Sequence, residues 1–360
     1  MASIVSPPQK TVDIQQNKMI SIKELAESGG LTSVPSEYTF ASNPNDQADQ
    51  NDPDHSMPTI DFSLIMSTSP DQRSKILHDL RKACEEWGFF MVINHGVPES
   101  LMKNMIEVCQ GFFNLPEEEK KVYQTRNLLD PIKCGTSFNV EIDKVLLWRD
   151  FLKVISHPQF HSLPKPEGYS EVSLEFSKRI REVATELLRA ISETLELEAD
   201  YIEKSMNWDQ GLQILAANYY PACPDPENAI GIPPHTDHGL LTILIQNDMG
   251  GLQVQHKGKW VNWNAIPNSL VVNLGDHMQI LTNDKYKSVW HRAVVNNKAP
   301  RISIAVPHGP SLETVVVPAP ELVEKQGQPP AYKGISYHDF LDLQQSAKCY
   351  MKSCLDAIRL

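Results

Sequence analysis

The chain has 360 residues, of which 41% are hydrophobic, enough for a substantial core in one large domain or two smaller ones. Its formal net charge of −12 argues against nucleic acids and anionic membranes as partners, because both need clustered lysine and arginine. No run of about 18 apolar residues occurs, and residues 1–19 lack the apolar centre of a signal peptide, so we expect a soluble, cytoplasmic protein.

The first half of the sequence predicts a polar arm followed by strands and amphipathic helices. Residues 1–56 form an N-terminal arm, helical at most over a short stretch, which ends in a polar linker that can bury little. In residues 57–168 we predict a strand at 58–61, a helix at 69–87, a strand at 89–94, a helix that Pro98 opens, and loop with short strands over 127–148.

The second half changes from helical to β-type periodicity. Residues 169–211 hold supporting helices, with a long one over 171–197 whose apolar residues recur at steps of three or four. Residues 212–310 alternate turn residues with short β-prone runs at 212–220, 240–246, 252–255, 260–263, 270–273, 289–296 and 302–306. Regular short strands of this kind predict a sandwich or barrel. Residues 311–360 form a C-terminal segment that ends in a helix over 337–360.

A candidate metal centre lies in this β-rich region. His235 and Asp237 follow the extended run 230–234, and residues two apart in an extended segment point to the same side, so they can chelate one ion. With His291 they supply two imidazoles and one carboxylate, which leaves half of an octahedral Fe(II) shell open. The alternative is a strand-end histidine that is simply hydrogen-bonded to the neighbouring aspartate.

A candidate anion site follows the third histidine. Arg301 carries a planar, permanently charged fork that fits a carboxylate, and Ser303 faces the same side of its strand. The alternative for Arg301 is a surface ion pair, but Ile302, Ile304 and Val306 indicate a buried strand.

Many short motifs occur in one order along the chain. They are Pro58-Thr59-Ile60-Asp61, Trp87-Gly88-Phe89-Phe90, Asn218-Tyr219-Tyr220-Pro221, His235-Thr236-Asp237, Gly250-Gly251-Leu252-Gln253, Asn273-Leu274-Gly275-Asp276, Lys287-Ser288-Val289 before His291-Arg292, and Arg301-Ile302-Ser303. In these motifs the chain resembles the plant 2-oxoglutarate- and Fe(II)-dependent dioxygenases, a family that includes flavonol synthase, anthocyanidin synthase and gibberellin oxidases.

The resemblance implies a mixed α+β fold with a double-stranded β-helix, or jelly-roll, core flanked by helices. It implies an enzyme in which His235, Asp237 and His291 bind Fe(II) and perform the chemistry. Arg301 and Ser303, together with Tyr220 and Asn218, would then bind 2-oxoglutarate. O2 is the second co-substrate and ascorbate the expected reductant; we expect a monomer that acts on a small molecule and releases succinate and CO2.

The substrate is less constrained. Family members acting on flavonoids often carry lysine and phenylalanine where this chain has Ala216 and Pro307, which argues against a flavonoid. The candidate substrate-binding residues, mostly apolar, are Phe138, Phe151, Lys153, Ala216, Pro307 and His308. We expect hydroxylation or desaturation of a hydrophobic phenolic or terpenoid metabolite. Catabolism of a plant hormone, and a non-catalytic jelly-roll binding protein, remain as alternatives.

Overall fold

The computed structural model of the chain describes residues 21–29, 31–40, 48, 57–125, 127, 129–137, 145–345 and 354–360. The helices in these residues are α1 Ile22–Glu27, α2 Phe62–Ile65, α3 Pro70–Glu86, α4 Glu99–Phe113, α5 Glu117–Lys120, α6 Tyr169–Thr194, α7 Tyr201–Ser205, α8 Asp276–Leu281, α9 Pro320–Gln326, α10 Tyr337–Gln345 and α11 Cys354–Ile358. The strands are β1 Thr59–Asp61, β2 Phe89–Ile93, β3 Ile132–Gly135, β4 Asp150–His157, β5 Gln213–Tyr220, β6 Ile232–His235, β7 Leu241–Gln246, β8 Leu252–His256, β9 Lys259–Asn262, β10 Leu270–Leu274, β11 His291–Ala293, β12 Arg301–His308, β13 Val315–Val316 and β14 Ile335–Ser336.

Two sheets face each other and form the predicted double-stranded β-helix, so the predicted fold class is confirmed. The large sheet has eight strands in the order β1-β2-β10-β7-β12-β5-β4-β3, and the small sheet has four in the order β6-β11-β8-β9. Apart from the parallel pair β1 and β2, the neighbouring strands run antiparallel. Alternate side chains of the large sheet therefore point toward the small sheet or away from it.

The outer face of the large sheet, called here the helix face, carries the main hydrophobic core. On β12 this face presents Ile302, Ile304 and Val306, which pack in one cluster with residues of α3, α4 and α6. The long helix α6 buries Phe176, Ile180, Val183, Leu187 and Ile191 against it, at the spacing predicted from the sequence. The opposite face, called here the inner face, points toward the small sheet.

The turn between α3 and β2 brings the N-terminal region close to the small sheet. Gly88 has a positive φ of 61°, and a Cβ there would lie 2.4 Å from the Lys287 carbonyl oxygen, so only glycine fits. This close approach seats Phe89 edge-on to the ring of His291, with 5.2 Å between the ring centroids. Through strand pairing, β1 to β4 belong to the same sheet as the C-terminal strands β5, β7, β10 and β12.

Some predicted elements have different limits in the structure. Strand β4 was not predicted, because charged and polar residues interrupt its apolar run. Strand β11 covers only His291–Ala293 of the predicted 289–296, and the short helix α8 was not predicted. The predicted C-terminal helix is represented by two short helices, and residues 346–353 between them lie outside the described residues. Within the described part of the chain, no helix is long and apolar enough to span a membrane.

Candidate active site

Two strands and one short turn bring the three predicted metal ligands together. His235 ends β6 and His291 begins β11, and the two residues are paired across the small sheet. Asp237 lies just beyond β6, and one ligand atom from each of the three residues lies within 4.8 Å of the others. The Asp237 Oδ1 is 3.8 Å from the His235 Nε2 and 3.6 Å from the His291 Nε2. These separations are too long for hydrogen bonds, so the strand-end alternative is not what the structure shows.

The surroundings of the three side chains fit a divalent metal. The Nδ1 of His235 lies 2.9 Å from the Pro233 carbonyl, and that of His291 lies 3.1 Å from the Val289 carbonyl. Since a carbonyl only accepts, each Nδ1 carries the proton and each Nε2 keeps a free lone pair. Asn273 donates to the other carboxylate oxygen of Asp237 at 2.8 Å, which orients Oδ1 toward the imidazoles.

The electrostatics give His235 and Asp237 the charges that metal binding requires. Burial, reinforced by the neighbouring His291, lowers the pKa of His235 to about 3, so its ring is neutral at pH 7. Burial alone would raise the pKa of Asp237, but the two histidines and the Asn273 hydrogen bond hold it well below its usual range. A neutral imidazole and an ionised carboxylate suit Fe(II).

A buried arginine occupies the inner face of the large sheet. Arg301 is 2% exposed, donates to the Gln246 side chain at 2.8 Å and to the Ser303 hydroxyl at 3.4 Å, and its guanidinium carbon lies 5.0 Å from the Tyr220 ring centroid. It forms no ion pair with a described residue, and its Nε has no hydrogen-bond partner among them. The surface ion-pair alternative is therefore wrong. A buried cation with only neutral partners is suited to binding an anion.

The other predicted 2-oxoglutarate residues lie beside Arg301. Tyr220 pairs with Arg301 across β5 and β12, and Asn218 pairs with Ser303, so all four side chains share the inner face. The Asn218 side-chain oxygen accepts a hydrogen bond of 2.7 Å from Arg149. Gly231 makes room for this arrangement, because a Cβ there would lie 2.6 Å from the Tyr220 ring.

The candidate substrate residues divide into three groups. Phe151, Lys153, Ala216 and Pro307 share the inner face, as their register with Asn218, Ala305 and Thr242 requires. Phe138 lies outside the described residues. His308 is a correction: it follows Pro307 on β12, so its side chain points to the helix face, where it stacks on Trp208 with 5.8 Å between the ring centroids. We therefore exclude it from the pocket.

Several residues that support the site were not identified from the sequence. Asn273 and Gln246 orient Asp237 and Arg301, and Arg149 holds Asn218. Asn273 belongs to the motif Asn273-Leu274-Gly275-Asp276, the one sequence feature that could have identified it. Tyr337 of α10 contacts the site indirectly, because its hydroxyl lies 2.7 Å from the Nδ1 of His238, the residue after Asp237. Strand pairing across long sequence separations creates these contacts.

A double-stranded β-helix that holds two histidines and a carboxylate close together, with a buried arginine on its inner face, defines the class of non-haem iron, 2-oxo acid-dependent oxygenases. Comparison with known proteins agrees with this class. Residues 211–310 match the model of the 2OG-Fe(II) oxygenase superfamily, and residues 57–175 match that of the non-haem dioxygenase in morphine synthesis N-terminal region.

Individual relatives cover nearly the whole chain. The chain is 42% identical to 2-oxoglutarate-dependent dioxygenase 19 of Oryza sativa subsp. japonica, over 86% of this chain and 91% of the relative. It is 36% identical to thebaine 6-O-demethylase of Papaver somniferum, over 94% and 96%. The crystal structure of JOX2 in complex with 2OG, Fe and JA superposes with a TM-score of 0.84 at 29% identity, over 95% and 98%. The chain belongs to the 2-oxoglutarate- and Fe(II)-dependent dioxygenase family and is an enzyme of that class.

Proposed function

We propose that this dioxygenase hydroxylates or desaturates a hydrophobic plant metabolite of the phenolic or terpenoid class. The observation that carries the proposal is the composition of the inner face between the metal ligands and Arg301, where Ala216, Ala305, Pro307 and Phe151 offer a mostly apolar surface. The similarity to a thebaine-demethylating enzyme supports a plant metabolite as substrate.

We assign His235, Asp237 and His291 to the metal and Arg301, Ser303, Tyr220 and Asn218 to 2-oxoglutarate. Fe(II), when bound with 2-oxoglutarate, supplies the O2-dependent oxidation of a C–H bond and releases succinate and CO2, with ascorbate as reductant. The protein's part is positional. Gln246, Ser303 and the Tyr220 ring hold the Arg301 guanidinium so that it can pair with the distal carboxylate of the co-substrate.

The remaining expectations from the sequence belong to the same proposal. We propose a cytoplasmic monomer that binds no nucleic acid, consistent with the net charge of −12. We retain the division into an arm at 1–56, an N-terminal region at 57–168, supporting helices at 169–211, the jelly-roll core at 212–310 and a C-terminal segment at 311–360.

Catabolism of a plant hormone by the same chemistry is the second candidate. It is favoured by the structural similarity to JOX2, whose complex contains JA, and to a dioxygenase for auxin oxidation from Arabidopsis thaliana that is 26% identical with a TM-score of 0.64. A non-catalytic binding protein is disfavoured, because such a protein has no need for three convergent ligands and a buried arginine.

The test is O2- and 2-oxoglutarate-dependent succinate release, measured with fractionated plant extracts on the Fe(II)-loaded protein. Stimulation by a fraction identifies the substrate, and a hormone fraction would favour the second candidate. If no extract of any tissue stimulates release and the protein takes up neither Fe(II) nor Mn(II) under anaerobic conditions, the binding-protein alternative replaces the proposal.

A further inference from the structure

Lys153 places a second cation on the inner face, on β4. Its ammonium group lies 5.8 Å from the centroid of the Phe151 ring, and it forms no hydrogen bond or ion pair with a described residue. The negative charge of Asp237 raises the pKa of Lys153 and so opposes the effect of burial.

A partly buried lysine that forms no ion pair is destabilising, because its charge loses part of its hydration. Burial lowers the pKa of Lys153 to about 8, and the positive charges of Arg149 and Lys133 add to the effect. Lys120, in contrast, is buried with an acidic partner, because its Nζ lies 2.5 Å from the Glu117 carboxylate. Lys153 thus lacks the compensation that Lys120 receives, although it is itself partly buried.

The inner-face positions that follow Lys153 across the sheet carry small side chains. Lys153 pairs with Ala216 on β5, Ala216 pairs with Ala305 on β12, and Ala305 pairs with Leu244 on β7. We call these four residues the alanine row. Neighbouring strands are about 4.8 Å apart, so the row spans roughly 14 Å with only methyl groups at its centre.

The alanine row lies between the two parts of the site already described. Ser303, two residues before Ala305 on β12, belongs to the 2-oxoglutarate site. Pro307, two residues after Ala305, pairs with Thr242 on β7. Thr242 pairs in turn with Asn273, which donates a hydrogen bond to Asp237. A molecule over the alanines would therefore be next to the metal ligands, with one end at Lys153.

We propose that Lys153 binds a carboxylate group of the organic substrate, whose apolar body lies over Ala216 and Ala305. The substrate class is then a hydrophobic organic acid rather than a neutral phenol or terpene. This inference rests on the proposed function, since it assigns the substrate end of the same site. The carboxylate supplies the ion-pair partner that no described residue offers to Lys153.

The test is calorimetric titration of the full chain, loaded with Mn(II) and saturated with 2-oxoglutarate so that the Arg301 site is occupied. The probes are benzoate, phenylacetate and cinnamate, each compared with its neutral methyl ester. We expect the wild type to bind at least one acid about tenfold more tightly than its ester. Lys153→Met abolishes this preference, and Lys153→Arg retains it.

Lys103→Met is the matched control, because it removes an exposed lysine of α4, whose side chain is 68% exposed, and should keep the preference. Substrate-independent succinate release should persist in Lys103→Met as in the wild type, and its absence from the wild type would contradict the proposed function without bearing on the acid preference. Three outcomes would overturn the inference: no wild-type preference for any acid, an unchanged preference in Lys153→Met, or loss of the preference only in Arg149→Met.

Discussion

Arg301 and Lys153 are two cations on the same face of one sheet, the first buried and the second partly buried, and their surroundings differ. Arg301 is fixed by Gln246, Ser303 and the Tyr220 ring, whereas the Lys153 ammonium lies near the Phe151 ring and forms no hydrogen bond or ion pair with a described residue. We call the first region, proposed to bind 2-oxoglutarate, the co-substrate end, and the second, proposed to bind the organic substrate, the substrate end. A rigid, prearranged guanidinium suits one invariant ligand, while a flexible ammonium group tolerates ligands of varied shape.

The largest effect should come from the metal ligands, which both ends need. His291→Ala removes one of the three proposed ligands. Loss of a residue that only supports a ligand lowers metal affinity roughly 10–100-fold, so we expect the Fe(II) affinity of His291→Ala to fall further than that. Atomic absorption after anaerobic loading and desalting measures it. Retention of one iron per chain in the variant would show that His291 is not a ligand.

Arg301→Lys should weaken the co-substrate end alone. The charge remains but the two-pronged contact is lost, which costs about 2 kcal/mol, or roughly a 30-fold higher KM for 2-oxoglutarate. Fe(II) affinity should stay near the wild-type value, because Arg301 touches none of the three ligands. Loss of iron equal to that of His291→Ala would contradict the separation of the two roles.

Ala216→Leu should obstruct the substrate end. The added side chain enters the alanine row, so we expect kcat/KM for the organic substrate to fall about tenfold while 2-oxoglutarate binding is maintained. The matched control is Ala217→Leu, on the helix face, where Ala217 is 2% exposed. That variant should instead lower the melting temperature, because it overpacks the core. The reverse pattern would mean that the two faces of β5 are wrongly assigned.

The two ends should also differ in pH dependence. Lys153 is charged below its pKa of about 8 and neutral above it, with Arg149, Lys133 and Asp237 as the charged groups that act on it. For an acidic substrate, kcat/KM should therefore fall by about fourfold between pH 7 and 8.5. Lys153→Arg should be flat over this range. A wild-type profile that is also flat would contradict the role of Lys153.

Tyr337→Phe should have the smallest effect. It removes the hydroxyl that contacts His238 but keeps the ring, so we expect a loss of about 1 kcal/mol in the free energy of unfolding and a melting temperature lower by roughly 2–4 °C. Differential scanning calorimetry measures this, with 2-oxoglutarate KM as the control. A large rise in that KM would show that α10 orders the co-substrate end directly.

The sequence by itself determined the short-range features of this protein. The spacing of apolar residues predicted α3, α4 and α6, because a helix or strand buries one face at a fixed period. His235 and Asp237, like Arg301 and Ser303, are two residues apart on extended backbone, so their common direction follows from local geometry. Strand β4 escaped prediction because Asp150, Lys153 and Ser156 interrupt its apolar pattern.

Only the tertiary structure decided which distant residues meet. Asn273 reaches Asp237, and Gln246 reaches Arg301, through strand pairing that local periodicity does not encode. The same pairing turned His308 away from the site, although it follows Pro307 directly, because successive residues of a strand point to opposite faces. It also placed Lys153 on the inner face in line with Ala216, Ala305 and Leu244, a position that depends on the register of four strands packed against one core.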